Sequence, residues 1–139
     1  MGKELLKIEL PLYLKIGKTE KSKKYSLNLN GYRNWHFQVS NGLKVKFKEY
    51  VQSKINTSNS HLGVIEIYYT IFNKDARKSD VMNWTAVVDK FFQDCLSEMG
   101  YVEDDNWQFI KKVTSEYGGI DRKNPRIEAS ILAYEENND

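Results

Sequence analysis

Residues 80–99 constrain the fold more than any other part of the chain. At about 100° per residue, Val81, Trp84, Val88, Phe91, Phe92, Cys95, Leu96 and Met99 gather on one broad side. Asp80, Asn83, Lys90, Asp94 and Glu98 line the opposite side. A helix with so wide an apolar face has to be covered by another layer. Residues 62–72 (LGVIEIYYTIF), β-branched and aromatic, read as a strand central enough to do the covering. Ser79 or Asp80 suits the helix N-cap, and Gly100 suits the position just past its end.

The remaining elements follow from shorter patterns. Residues 4–14 alternate apolar and polar through Leu6, Ile8 and Leu10, a first strand that Pro11 assigns to an edge. Leu43, Phe47, Tyr50, Val51 and Ile55 recur at helical spacing over 43–55. Residues 107–117 and 126–134 read as two further strands joined by the turn residues GGIDRKNP, and 135–139 as a frayed tail. The basic segment 17–42 reads as a binding loop, either mobile or partly ordered by Tyr25, Tyr32, Trp35 and Phe37. The expected fold is a single α+β domain of 139 residues: a three- to four-stranded mixed sheet packed against two main helices.

Charge is laid out unevenly along the chain. The net +2 conceals eleven Lys/Arg against three Asp/Glu in residues 1–48, and seven acids against Lys90 alone in residues 80–109. The basic arm suggests a polyanionic partner, and the acidic centre suggests bound cations or a solvated face. An ordinary balance of 40% hydrophobic and 29% charged residues excludes collagen-like and wholly disordered chains. The single cysteine, Cys95, excludes an internal disulfide framework and a multi-cysteine zinc site. With no long unbroken apolar run in the sequence, an intracellular, cytoplasmic setting without a membrane partner is expected.

Glu103-Asp104-Asp105 sets three acids side by side just after the long helix, where they also meet the negative end of its dipole. A divalent cation relieves such repulsion, and Mg²⁺ is typically held by one or two carboxylates with water and phosphate oxygens. A loop returning towards Asp80 would build that site; plain solvation of the stripe, with Lys90 and Asp94 as an i,i+4 pair, is the alternative.

At these residues the sequence resembles the RusA-type Holliday-junction resolvases of phages and prophages. The resemblance is carried by Asp80-Val81-Met82-Asn83, Lys90 and Asp94, Gly100, and Asp104-Asp105-Asn106. Asn28-Leu29-Asn30-Gly31-Tyr32-Arg33 is similar to the family's N-terminal element, and YGGIDRKNPRIEASI to its closing hairpin. Two departures stand out: Met82 occupies the place of the family's second motif acid, and the chain is about one helical turn longer between Asn83 and Lys90. Asp89 lies about 120° round the helix from the stripe and does not replace the missing acid.

The resemblance implies a homodimeric endonuclease, dependent on Mg²⁺ (or Mn²⁺) and on no organic cofactor, that resolves four-way DNA junctions by paired symmetric nicks. It implies Asp80, Asp104 and Asp105 as metal ligands, Asp80, Lys90 and Asp105 as catalytic residues, and Asn83 and Asp94 in support. The expected contacts to branched double-stranded DNA are Lys15, Lys18, Lys21, Lys23, Lys24, Asn30, Tyr32 and Arg33, with Lys44 and Lys48 on the following helix. Tyr32 and Trp35 are candidates for stacking on unpaired bases or for burial. The rival expectations are a DNA-binding accessory protein of phage recombination without cleavage, a flap or fork nuclease with the same metal chemistry, and an interaction domain whose acids are merely solvated.

Overall fold

The computed structural model describes residues 2–17, 19–55 and 61–135. Strand β1 (Glu4–Pro11) ends where the sequence pattern continues. Pro11 has no N–H to donate, and Leu12 turns inward to be fully buried. Residues beyond it leave the sheet: β2 (Tyr13–Lys15) pairs antiparallel with β3 (Lys24–Ser26) as a separate ribbon. The expected strand over 4–14 is therefore two.

Segment 17–42 is not one loop. It holds β3, the short helix α1 (Leu29–Asn34) and the start of α2 (Phe37–Lys54). Asn28 caps α1, its Oδ1 accepting from the Gly31 N–H at 2.8 Å. His36 caps α2, its Nδ1 accepting from the Gln38 N–H at 3.3 Å. The first turns of α2 carry no apolar period, because Phe37 and Val45 face solvent and the buried row begins at Leu43.

Strand β4 (Ile65–Asn73), helix α3 (Val81–Glu98), strand β5 (Ile110–Ile120) and strand β6 (Arg126–Ala133) complete the chain. The four-stranded sheet runs β1-β6-β4-β5, with β4 and β5 parallel and the other pairs antiparallel. It is mixed, β4 is central and β1 is an edge, as expected. The expected closing hairpin is absent: β5 and β6 flank β4 on opposite sides. The connection crosses the end of β4, where the Asp121 N–H donates to the Asn73 carbonyl at 2.7 Å. There the Arg126 guanidinium pairs with Asp121 and Glu128 at 2.8 and 3.2 Å and lies 4.2 Å from the Phe72 ring centroid.

One face of the sheet carries the core. Ile8, Leu10, Ile65, Ile67, Tyr69, Ile71, Ile127 and Ile131 meet Leu43, Phe47 and Val51 of α2 and Val88, Phe91, Phe92 and Leu96 of α3. Thr85 and Val87 are also buried, while Val81, Trp84 and Met99 lie at the margin of the apolar face. Among the described residues, no helix is long and apolar enough to cross a membrane.

Asp89 points to the sheet, away from the polar stripe. Its carboxylate accepts from the Tyr69 hydroxyl at 2.5 Å and from Gln93 Nε2 at 2.9 Å. Burial pushes its pKa above the usual carboxylate range, against the pull of those hydrogen bonds. A raised folded-state pKa gives stability that is present at low pH and lost as pH rises through the raised value. Urea unfolding is therefore expected to find wild type more stable relative to Asp89→Asn at pH 4 than at pH 7, with a pH-independent difference contradicting this account.

Candidate functional site

Asp80 is the N-cap of α3, exposed and making no capping hydrogen bond of its own. The local bonding is done by Asn83 instead. Its Nδ2 donates to Ser79 Oγ at 3.0 Å, and its Oδ1 accepts from the Leu29 N–H at 3.2 Å. The start of α1 is thereby tied to the start of α3. The Asn28–Arg33 and Asp80–Asn83 motifs, 47 residues apart between Arg33 and Asp80, meet in one cleft of about 590 Å³. It is lined by Leu29, Asn30, Arg33, Lys78, Ser79, Asp80, Met82 and Asn83.

Across Lys78, Ser79 and Asn83 the cleft adjoins a recess of about 250 Å³ bounded by Tyr13, Ser26, Asn28, Asn73, Lys74, Asp75, Arg77 and Trp84. The ammonium groups of Lys24 and Lys74 sit 4.8 and 5.1 Å from the Tyr13 ring centroid, close enough for cation–π attraction. Arg33, Lys24, Lys74, Arg77 and Lys78 outnumber Asp75 and Asp80 along this surface. The combination suits an anion with several charges, such as consecutive phosphates.

Asn83→Ala removes the bond that joins the two helices and the local one to Ser79. It is expected to cost about 1–2 kcal/mol in urea unfolding and to weaken polyanion binding by loosening α1. Unchanged stability together with unchanged binding would contradict the bridging role.

The far end of α3 is acidic. Gly100 takes a left-handed φ of 80°. The buried Tyr101 and Val102 then fold back, their N–H groups donating to the Leu96 carbonyl at 2.9 and 3.3 Å. The Tyr101 carbonyl also accepts from the Leu62 N–H at 2.9 Å. This anchoring holds the following loop at the C-terminal end of the helix. Asp104 accepts from the Asp105 N–H at 2.8 Å and from Asn106 Nδ2 at 3.2 Å, which stiffens the turn.

The Asp105 carboxyl lies close to those of Asp104 and Asp94. Desolvation first, and these acidic neighbours next, push its pKa above the usual carboxylate range. Asp94 itself borders a groove of about 340 Å³ between α2 and α3, beside Asn41, Lys44, Val45, Lys48, Phe91, Cys95 and Glu98.

The expectation that Asp80, Asp104 and Asp105 converge on one metal is not met within the chain. Asp94, the neighbour of Asp105, lies fourteen residues beyond Asp80, about 21 Å along the helix. The folding back of Tyr101 and Val102 keeps the loop from reaching Asp80. Among the described residues, no group of three or more His, Cys, Asp or Glu side chains is placed to hold a metal. The carboxylates that do meet are Asp94 and Asp105, with Asp104 in the same turn. A pair of this kind matches the donor set of Mg²⁺ when phosphate and water complete its shell.

Lys90, exposed on the stripe one turn before Asp94, belongs to this acidic half and is not ion-paired with Asp94 among the described residues. Of the basic arm, Lys15 and Lys21 are exposed, Lys23 and Lys24 lie over Tyr25 and Tyr13, and Arg33 lines the main cleft. Lys18 lies outside the described residues. Asn30 lines the cleft. Tyr32 packs edge-on against Trp35, which rests on Phe91, so these two aromatics brace α1. Lys48 is engaged by Glu98 at 2.9 Å.

The sequence reading missed Lys74, Arg77 and Lys78 as part of the cationic surface. The signal was the basic turn NKDARKSD running directly into Asp80. No protein-family model matches the chain, and no curated protein matches it either.

Proposed function

We propose that this chain is a Mg²⁺-dependent, structure-specific endodeoxyribonuclease that binds branched double-stranded DNA and resolves four-way junctions by paired nicks. One observation carries the reading: the two motifs that resemble junction resolvases in sequence, Asn28–Arg33 and Asp80–Asn83, face one another across a single cation-lined cleft.

In this reading Arg33, Lys74, Arg77 and Lys78 take phosphates without reading sequence, and Asn83 keeps α1 and α3 at fixed spacing. Asp94 and Asp105 would hold Mg²⁺, with Asp104 fixing the turn that presents Asp105. Bound there, the ion supplies Lewis-acid polarisation of a phosphate and a lowered pKa for water. Lys90, one turn away on the same stripe, neutralises charge that develops on the phosphate oxygens. A twofold pair of chains suits a near-twofold junction, since each copy can nick an opposed strand.

A second reading is a DNA-binding protein without cleavage. It is favoured by Met82, 52% exposed beside Asp80 where the resembled family has an acid, and by the separation of Asp80 from Asp105. A synthetic four-way junction, incubated with Mg²⁺ or Mn²⁺ and read on a denaturing gel, separates the readings. Paired symmetric nicks support the resolvase, and nicks restricted to flap or fork substrates move the assignment to that nuclease class. Binding with no cleavage in either ion favours the accessory protein.

A further inference from the structure

Trp107 is 75% exposed, more than any other large apolar side chain among the described residues. The other two tryptophans are used by the fold: Trp35 packs on Tyr32 and Phe91, and Trp84 stands edge-on to Tyr13 at 5.4 Å between ring centroids. Trp107 buries too little to stabilise the fold, yet its turn is tightly held. Asn106 Oδ1 accepts from the Gln108 N–H at 2.9 Å, and the Asn106 carbonyl accepts from the N–H groups of Phe109 and Ile110 at 3.1 and 3.0 Å. The Phe109 carbonyl accepts from the Ile65 N–H at 2.8 Å, which fastens the turn to the central strand. A ring fixed in place and left in water is organised in advance for a flat partner.

The surroundings of the ring indicate the partner. Lys111 Nζ lies over it, 5.7 Å from the centroid, and both Lys111 and Lys112 are exposed. On the other side of the turn stand the exposed Asp104 and Asp105. Trp107 is two residues from Asp105, so their Cα atoms are at most about 7 Å apart. Its chain neighbours Asn106 and Gln108 are polar. A planar ring, a cation for a flanking phosphate and carboxylates suited to Mg²⁺ together match a nucleotide.

We propose that Trp107 is a stacking platform for an unpaired nucleobase, and that it gives the site its preference for strands that have left the duplex. Inside a paired duplex both faces of a base are covered by its neighbours, so the ring finds no free face there. At a branch point or in a single strand it does. With Lys111 on the adjoining phosphate, the stacked strand is led towards Asp105. Its position beside the cut phosphate rests on the nuclease reading of Asp94 and Asp105, whereas the stacking itself needs neither metal nor cleavage.

Binding by the full chain without metal tests this, with an oligothymidylate of about twelve nucleotides and a blunt, fully paired duplex as the two probes. Trp107→Ala is expected to weaken oligothymidylate binding about tenfold and duplex binding by less than about twofold, while Trp107→Phe keeps most of the single-strand affinity. The oligothymidylate is expected to quench wild-type tryptophan fluorescence, and the quench to be lost in Trp107→Ala, where Trp35 and Trp84 remain. Because the ring is exposed, the urea midpoint of Trp107→Ala should match that of wild type. Equal weakening on both probes, or weakening on neither, would overturn the proposal. A lowered urea midpoint would overturn it too, by making Trp107 a structural residue. The two readings fail separately. Single-strand binding that depends on Trp107, in a chain that never cuts a junction, keeps this proposal and removes the nuclease. Mg²⁺-dependent nicking by a chain whose oligothymidylate binding ignores Trp107 does the reverse.

Discussion

Asp105→Asn is expected to lower Mg²⁺-dependent nicking of a four-way junction by about a thousandfold, roughly 4 kcal/mol of lost transition-state stabilisation. The physical reason is local. Desolvation, and then the Asp104 and Asp94 carboxyls beside it, raise the pKa of Asp105. A cation that binds there gains from relieving the repulsion, whereas an amide offers one neutral oxygen. Asp105 is exposed and belongs to a turn held by Asp104 and Asn106. The variant should therefore unfold at the same urea concentration as wild type or slightly above, since a like-charge contact is lost. DNA binding in the absence of metal should hold or tighten, because one negative charge near the backbone is gone. Nicking within threefold of wild type would remove Asp105 from the chemistry and leave the carboxylate pair as a solvated cluster.

Phe91→Ala is expected to be the most damaging change to the fold among the residues that support the cleft. Phe91 is 2% exposed, packs edge-on against Phe47 of α2 at 5.6 Å between ring centroids, and meets Trp35 at 6.3 Å. Removing the ring leaves a cavity where α2, α3 and the α1 connection converge, at a cost of about 3–5 kcal/mol. With a urea m-value of about 2 kcal/mol/M, the midpoint should fall by roughly 2 M. Polyanion binding should weaken as well, because Trp35, half-buried against Phe91, supports the helix that carries Arg33. The exposed Met82 offers the contrast: Met82→Ala should move stability by less than about 0.5 kcal/mol. A midpoint shift for Phe91→Ala no larger than that of Met82→Ala would contradict the packing described.

How much of this could be read beforehand depends on the residues concerned. The alternation of Ile65, Ile67, Tyr69 and Ile71 and the apolar side of α3 announced the central strand and its covering helix, because both periods are enforced by burial against one face. The first turns of α2 were not legible, since Phe37 and Val45 face solvent and leave no apolar period. The departure of β2 from β1 turns on Leu12, one buried residue that redirects the chain. Which strands pair is a property of the whole sheet, so the turn 121–125 looked like a hairpin although β4 lies between its two strands.

At the site, helical phase correctly set Asp80, Asn83, Lys90 and Asp94 on one side of α3 and Asp89 on another. Phase describes direction around an axis, and says nothing of how far along that axis a loop returns. The burial of Tyr101 and Val102 against Leu96 decides that question, and it keeps Asp105 beside Asp94, away from Asp80. The contribution of Lys74, Arg77 and Lys78 was hidden for the same reason. Their charge was plain in the sequence, but the place of Lys78 in one cleft with Arg33, and of Lys74 and Arg77 in the adjoining recess, depends on the Asn83 bridge between two distant segments.

In the proposed function, the cleft between α1 and α3 is a phosphate-binding surface. The affinity of the full chain for a four-way junction, measured without metal across a range of salt concentrations, tests it most directly when wild type is compared with Arg33→Ala/Lys78→Ala. If both side chains contact phosphates, the slope of log affinity against log salt should become shallower by about 1.8, with equal weakening on junctions of different sequence. A slope identical to that of wild type would contradict it, because the cleft would then lie outside the DNA interface.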